Sequence, residues 1–340
     1  PFRSDITLGT RRSASWSRTK RYRPRYHIRT NVTKTKHLLD LDDADRPFIE
    51  ALIARARQFK AGLPNENIRL RGKIVLGMFF EASTRTTTSF AVVASRLGAT
   101  WIDFKTEGSS LVKGESLEDT MRTVRAIGAD AIVVRHAEAG FPHALARYFE
   151  GAVFNAGDGA HAHPTQGLLD AMTLVEEFGD LAGRKLVICG DISHSRVARS
   201  SGRAAWLLGA SVTLCGPPLL LPPSVPGWGF AHISADMDAV LPGADAVMLL
   251  RIQKERASGG DMPPYADLAA SYGLTLSRAA ALKPNCIIMH PGPVNRDVEI
   301  DGSLVRSERS RIERQVENGV FIRMAALEKS LGSPTRERVA

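Results

Sequence analysis

The sequence predicts an α/β protein made of two doubly wound, parallel-sheet domains with a functional crevice between them, on three observations. Six short runs are nearly continuous in apolar, largely β-branched residues, as strands covered on both faces have to be. Stretches with helical apolar spacing lie between several of them. Polar and basic residues gather directly behind the strands, where open α/β sheets bind ligands. The 340 residues are enough for about two domains whose cores need neither disulfide nor metal.

Taken in chain order, residues 1–36 mix Arg, Ser and Thr without apolar periodicity and are expected to be disordered. They hold eleven Lys or Arg against the single Asp5, so this leader carries +10, and the total of +9 leaves −1 for the rest of the chain. A nearly neutral body argues against nucleic acid, which needs a basic face on the folded domain. The leader's composition resembles a transit peptide. Yet the chain starts at Pro1 and its first Met, Met78, falls inside a predicted strand, so a fragment or a misassigned start fits as well as targeting. No apolar run approaches the roughly 18 residues of a membrane span. Cys189, Cys215 and Cys286 stand alone without metal-ligand spacing, which points to reduced thiols and a cytoplasmic protein.

Residues 73–80 form the first strand. Phe90, Val93 and Leu97 then mark a helix ending before Gly98, and Leu117, Met121 and Val124 mark the next. A strand at 131–134 follows, and a helix carrying Leu168, Met172, Val175 and Phe178, closed by Gly179, completes the first half. The polar stretch 180–184 is the best boundary in the pattern. Strands at 185–189, 211–214, 246–250 and 286–289 make the second half.

Behind the first strand comes Glu81-Ala82-Ser83-Thr84-Arg85-Thr86-Thr87-Thr88-Ser89-Phe90. Free N–H groups at a helix start, short hydroxyl donors and the Arg85 fork make an anion site, most simply for phosphate. One capping hydroxyl would account for Ser83 or Thr84. Four helix-disfavouring Thr together with Arg exceed what a cap needs. Arg135 ends the strand at 131–134, where a surface ion pair and a ligand contact are equally good readings. His161-Ala162-His163-Pro164-Thr165-Gln166 opens the third helix. The two His invite a metal, but no E-x-x-H or further His/Asp cluster accompanies them. His163 and Gln166 therefore read as hydrogen-bonding groups, with capping by Asp158 or Thr165 as the plainer alternative.

Gly190-Asp191-Ile192-Ser193-His194-Ser195-Arg196 follows a strand as a dinucleotide loop would, but lacks its glycines, so NAD is disfavoured and Arg196 supplies a cation instead. Arg251-Ile252-Gln253-Lys254-Glu255-Arg256 adds more charge behind the next strand, where a solvated loop explains Lys254, Glu255 and Arg256. His290-Pro291-Gly292-Pro293 ends the last strand in a rigid turn whose carbonyls can accept from an amine or amide.

In this order and spacing, Ser83-Thr84-Arg85-Thr86, His163-Pro164-Thr165-Gln166, Arg251-Ile252-Gln253 and His290-Pro291-Gly292-Pro293 resemble the aspartate and ornithine carbamoyltransferase family, over about residues 38–331. The last two motifs are similar to the aspartate enzymes, since an ornithine enzyme would carry a His-Cys-Leu-Pro turn. The alternatives are an ornithine or other amino-acid carbamoyltransferase, or a metal-dependent hydrolase using His161 and His163.

The resemblance implies a carbamoyl-phosphate-binding domain at 37–166, an aspartate-binding domain at 167–308, and a C-terminal helix at 309–331 that packs back on the first. It implies carbamoyl transfer from carbamoyl phosphate to L-aspartate in pyrimidine biosynthesis, with no metal or organic cofactor. By the same resemblance Ser83, Thr84, Arg85 and Thr86 hold the phosphate, while Thr86, Arg135 and His163 hold the carbonyl oxygen. Gln166, with Pro291 and Gly292, would meet the carbamoyl amide, and Lys113, Arg196, Arg251 and Gln253 the aspartate carboxylates. Ser109 and Lys113 resemble a loop that enters the neighbouring subunit's site, which implies a homotrimer with shared sites. A regulatory chain or a dihydroorotase is the further partner class. There are two departures. Thr87 and Ala91 stand where the family often has Arg and an acid or amide, an i,i+4 pair worth a few tenths of a kcal/mol. Glu313 stands where an apolar or aromatic residue is common.

Overall fold

The structure, a computed structural model, describes residues 36–63, 65–105, 114–222, 228–251 and 270–332. The first sheet contains β1 (Ile74–Phe79), β2 (Thr100–Asp103), β3 (Ala131–His136) and β4 (Ala152–Asp158), in the order β2-β1-β3-β4. The second contains β5 (Lys185–Cys189), β6 (Ser211–Cys215), β7 (Ala231–Ser234), β8 (Ala246–Leu249) and β9 (Ile287–Met289), in the order β7-β6-β5-β8-β9. Every pairing in both sheets is parallel. The doubly wound expectation therefore holds in both halves.

The helices are α1 (Arg46–Lys60), α2 (Thr84–Arg96), α3 (Leu117–Ala126), α4 (Phe141–Tyr148), α5 (Pro164–Phe178), α6 (Arg196–Leu207), α7 (Met237–Val240), α8 (Leu276–Ala281) and α9 (Ile312–Leu331). Side-chain oxygens of Asp45, Ser116 and Ser195 accept from backbone N–H groups three residues on and so start α1, α3 and α6. Ser83 and His163 occupy the same place on α2 and α5 but make no side-chain cap bond. Their side chains are left for something else. Thr165 does not cap either, because its buried hydroxyl finds no hydrogen-bond partner among the described residues.

Both sheets are covered on both faces. One continuous core runs from α1 and α2 through α5, α6 and α9, taking in Phe90, Val93, Phe154, Leu168, Met172, Ile188, Met248 and Ile322. Smaller cores lie under the far faces, around Met78, Ile132 and Leu145 for the first sheet and around Val247, Ile288 and Leu274 for the second. The helix α9 carries the end of the chain back against α1, α2 and α5. Glu313, whose fit was in question, is exposed on that helix and disturbs no packing.

Strand order reverses once in each sheet, between β1 and β3 and between β5 and β8. Loops leaving the carboxyl ends of such neighbours diverge to opposite faces and open a crevice. The segment 81–86 leaves β1 and opens α2, Arg135 lies in β3, Arg196 opens the helix after β5 and Arg251 lies two residues past β8. The topology therefore aims four separately read segments at two switch points. Among the described residues no helix is long and apolar enough to cross a membrane.

Candidate active site

Glu81, at the end of the β1 segment, joins the two sheets. Its Oε2 lies 3.2 Å from Arg135 Nε and 3.2 Å from both Arg196 Nη1 and Nη2. Arg135 also donates to the Ala156 carbonyl at 3.3 Å, and Arg196 to the Gly159 carbonyl at 3.2 Å. Burial first, and then the charges of Arg196 and Arg85, pull the Arg135 pKa down to about 10, with Glu81 opposing. Arg135 remains a cation at neutral pH, but it shares one carboxylate with Arg196 and feels the charge of Arg85, which has no such partner among the described residues. An anion entering here would be bound without displacing water from a lone charge, since the cations are already held by backbone carbonyls and Glu81.

Two glycines permit the approach. Gly157, at φ +119°, has no Cβ to strike Arg196 Nε, which would lie 2.9 Å from it, or Arg135 Nη1 at 3.2 Å. Gly292, at φ +69°, lies so close to Arg85 that a Cβ would meet Arg85 Cζ at 2.9 Å. That contact sets the 290–293 turn of the second sheet against the start of α2 on the first. Gly292→Ala is expected to add about 1–3 kcal/mol of backbone strain and to push Arg85 aside. Phosphate affinity, read as a product-inhibition constant, should weaken in that variant.

His163 is buried against the same cations. Burial, with Arg135, Arg323 and Arg196 adding their charge, holds its pKa well below 6.5. The ring is neutral at pH 7 and offers one N–H donor. Its Nδ1 makes no hydrogen bond among the described residues, while its backbone N–H donates to Ser200 Oγ at 2.9 Å. A folded-state pKa below the unfolded one means that stability present above the unfolded value is lost as pH falls, because only the unfolded chain takes the proton. An NMR titration should show His163 still neutral at pH 6.5, where an ordinary imidazole is half protonated. His161 should titrate at higher pH than an ordinary imidazole. Burial lowers its pKa, but the hydrogen bond and charge of Asp158, with help from Asp40, outweigh it.

The metal reading of His161 and His163 loses its geometry. His161 Nδ1 pairs with Asp158 Oδ2 at 2.9 Å, and His143 Nε2 pairs with Asp40 Oδ2 at 2.7 Å. His143, Asp158 and His161 do bring ligand-type atoms within 4.8 Å of one another, without His163. Asp158 is already committed there, accepting also from the Gly140 and Ala162 N–H groups and from Asn155. The cluster therefore serves the turn 158–163 that presents His163.

Of the other expected residues, Thr86 is buried in the first turn of α2, Ser83 is half-buried, and Thr84 and Arg85 are exposed at its mouth. Gln166 is buried on α5 and donates from Nε2 to Asp170 Oδ1 at 3.0 Å. Pro291 and Gly292 sit in a turn fixed by the Gly292 N–H donating to His290 Nδ1 at 2.7 Å. Arg251 is exposed just past β8. Ser109, Lys113 and Gln253 lie outside the described residues.

Comparison with known proteins adds sequence to this geometry. Residues 36–176 match the family model "Aspartate/ornithine carbamoyltransferase, carbamoyl-P binding domain", and residues 182–329 match "Aspartate/ornithine carbamoyltransferase, Asp/Orn binding domain". The chain belongs to the aspartate/ornithine carbamoyltransferase family. The aspartate carbamoyltransferase catalytic subunit of Thermus aquaticus is 49% identical over 295 residues, covering 86% of this chain and 97% of that one. Aspartate transcarbamoylase from Trypanosoma cruzi, solved with carbamoyl aspartate and phosphate, superposes with a TM-score of 0.78 at 30% identity, over 89% of this chain and 98% of that one. Ornithine carbamoyltransferase from Thermus thermophilus reaches the same TM-score of 0.78 at 26% identity, over 87% of this chain and 99% of that one. Backbone shape thus does not separate the two carbamoyltransferase branches, and side chains have to.

Sequence reading singled out neither Glu81 nor Asp170. Glu81 stands two residues before a conspicuous hydroxyl-rich loop, and its partner Arg196 is 115 positions away. A lone carboxylate next to an anion site was the available signal, since such a site without a counter-charge would repel its own guanidinium groups.

Proposed function

We propose that the chain is an aspartate carbamoyltransferase, moving the carbamoyl group of carbamoyl phosphate to the amine of L-aspartate to give N-carbamoyl-L-aspartate and phosphate. The observation that carries the reading is the convergence of Arg85, Arg135 and Arg196 on a crevice with Glu81 as the bridging carboxylate. A surplus of fixed cations suits a phosphate and a dicarboxylate together, and it disfavours ornithine, whose α-ammonium would meet the same charges.

The amine nitrogen attacks the carbamoyl carbon, the C–N bond forms, and the bond to the phosphate oxygen breaks. Negative charge grows first on the carbonyl oxygen. Thr86, Arg135 and the neutral His163 are donors for it, each worth up to about 3 kcal/mol when preorganised. Ser83, Thr84, Arg85 and Thr86, at the positive end of α2, take the departing phosphate. A phosphate oxygen accepts the amine proton. Gln166 and the Pro291 carbonyl receive the carbamoyl amide, while Arg196, Arg251 and Gln253 hold the aspartate carboxylates. Holding both small substrates in one geometry lowers the barrier further.

The same reading includes a cytoplasmic homotrimer in which Ser109 and Lys113 of each subunit complete a neighbour's site, in the pathway to pyrimidines. Light scattering on the purified chain tests the trimer, and a monomer with full activity would contradict it. Mass spectrometry of a reaction holding carbamoyl phosphate and L-aspartate tests the chemistry. N-carbamoyl-L-aspartate is the product expected, and hydrolysis of carbamoyl phosphate with aspartate recovered unchanged would refute the transfer.

A further inference from the structure

Behind Gln166 lies a buried carboxylate that the reaction does not use. Asp170 sits one turn along α5, on the same face, with no solvent exposure. Its Oδ1 accepts from Gln166 Nε2 at 3.0 Å and from Gln315 Nε2, on α9, at 2.8 Å. Its Oδ2 accepts from Ser201 Oγ, on α6, at 2.5 Å. Gln315 in turn uses Oε1 to accept the His290 backbone N–H at 2.9 Å. The carboxylate can only accept when ionised, so it fixes both amides with nitrogen towards itself. Gln166 is left with Oε1 as an acceptor that makes no hydrogen bond among the described residues, and the chain of bonds through Gln315 fixes the turn that carries the Pro291 carbonyl.

We propose that Asp170 is a positioning residue that aligns the two acceptors of the carbamoyl amide, Gln166 directly and the Pro291 carbonyl through Gln315 and His290. The inference rests on the carbamoyl-transfer reading and names what reads the NH2 end of the substrate. Two acceptors from different sheets have to sit at the spacing of two N–H groups on one nitrogen, and a single shared carboxylate sets that spacing. The stability cost of such a group is plain. Burial outweighs the hydrogen bonds of Ser201, Gln315 and Gln166 and the charge of Arg323, and raises the Asp170 pKa to about 6. An apolar residue there would hold the helices together more cheaply. A buried carboxylate retained at this cost, beneath a substrate-facing amide, fits a role in geometry.

The test uses acetyl phosphate, which keeps the phosphate and carbonyl of the substrate but replaces NH2 with a methyl group. In Gln315→Met, a substitution of similar volume, and in Asp170→Asn, the KM for carbamoyl phosphate is expected to rise about tenfold, equivalent to about 1.4 kcal/mol. The inhibition constant of acetyl phosphate, as a competitor of carbamoyl phosphate, and the KM for aspartate should stay within about twofold of wild type, because acetyl phosphate has no N–H and the aspartate amine faces the carbamoyl carbon rather than these acceptors. Asp170→Asn, which keeps one carbonyl acceptor, should lose less than Asp170→Ala. A parallel rise of the carbamoyl phosphate and acetyl phosphate constants would overturn the proposal, as would no change in either. Where Asp170→Asn does not fold, Gln315→Met still decides the matter. If wild type fails to turn over carbamoyl phosphate with aspartate, the transfer reading itself has failed, a result distinct from an unchanged selectivity.

Discussion

Arg85→Ala is expected to lower turnover by about a thousandfold while leaving the protein folded. Losing one preorganised charged donor at a reacting centre costs about 10²–10³ in rate, and in the proposed reaction Arg85 also supplies the fork that meets the leaving phosphate. Its contribution to folding is small. Among the described residues Arg85 makes no ion pair, and burial alone lowers its pKa. It also repels Arg135. Removing it relieves that repulsion, so the melting temperature should stay level or rise slightly. Thermal unfolding followed by circular dichroism, beside steady-state phosphate release, separates the two effects. Near-normal rates in a folded variant would remove Arg85 from the phosphate site.

Mixing two inactive variants provides the second large effect. Lys113→Ala and His163→Ala chains are each expected to be nearly inactive alone. Unfolded together and refolded at equal concentration, they should recover about one quarter of wild-type activity, because in the proposed cyclic trimer each site would take its two halves from neighbouring chains. Lys113→Ala chains would supply an intact His163, and His163→Ala chains an intact Lys113. No recovery would mean that each chain builds its own site, and the shared-site trimer would fall.

The strands and the site differ in how far they could be read from sequence, for physical reasons. β1, β3, β5, β6, β8 and β9 show themselves because being covered on both faces demands unbroken apolar residues. The edge strands β2 and β7 are short and mostly exposed, and no pattern marks them. β4 is fully buried yet reads Ala-Val-Phe-Asn-Ala-Gly-Asp. Its Asn155 and Asp158 are polar because they brace the turn leading to His163: Asn155 Nδ2 donates to the Leu39 carbonyl and to Asp158, each at 2.8 Å. A strand that breaks the apolar rule next to a crevice is a strand with a task.

The hydroxyl-rich start of α2 was legible for the same reason, since its threonines exceed what a helix start needs. Arg135, Arg196 and Arg251 drew notice from their place at or just past strand ends, and the structure puts Arg135 near the end of β3, Arg196 at the start of α6 and Arg251 just past β8. Glu81 and Asp170 were not, because their meaning lies in partners 115 and 145 positions away. Only the fold brings those together.

Phosphate release from carbamoyl phosphate, measured with L-aspartate and with L-ornithine in parallel, tests the central claim most directly. Release that depends on aspartate and stays at background with ornithine is the expected result, since the crevice offers cations to a dicarboxylate. Release with ornithine alone would contradict it, and would place the chain on the other branch of its family.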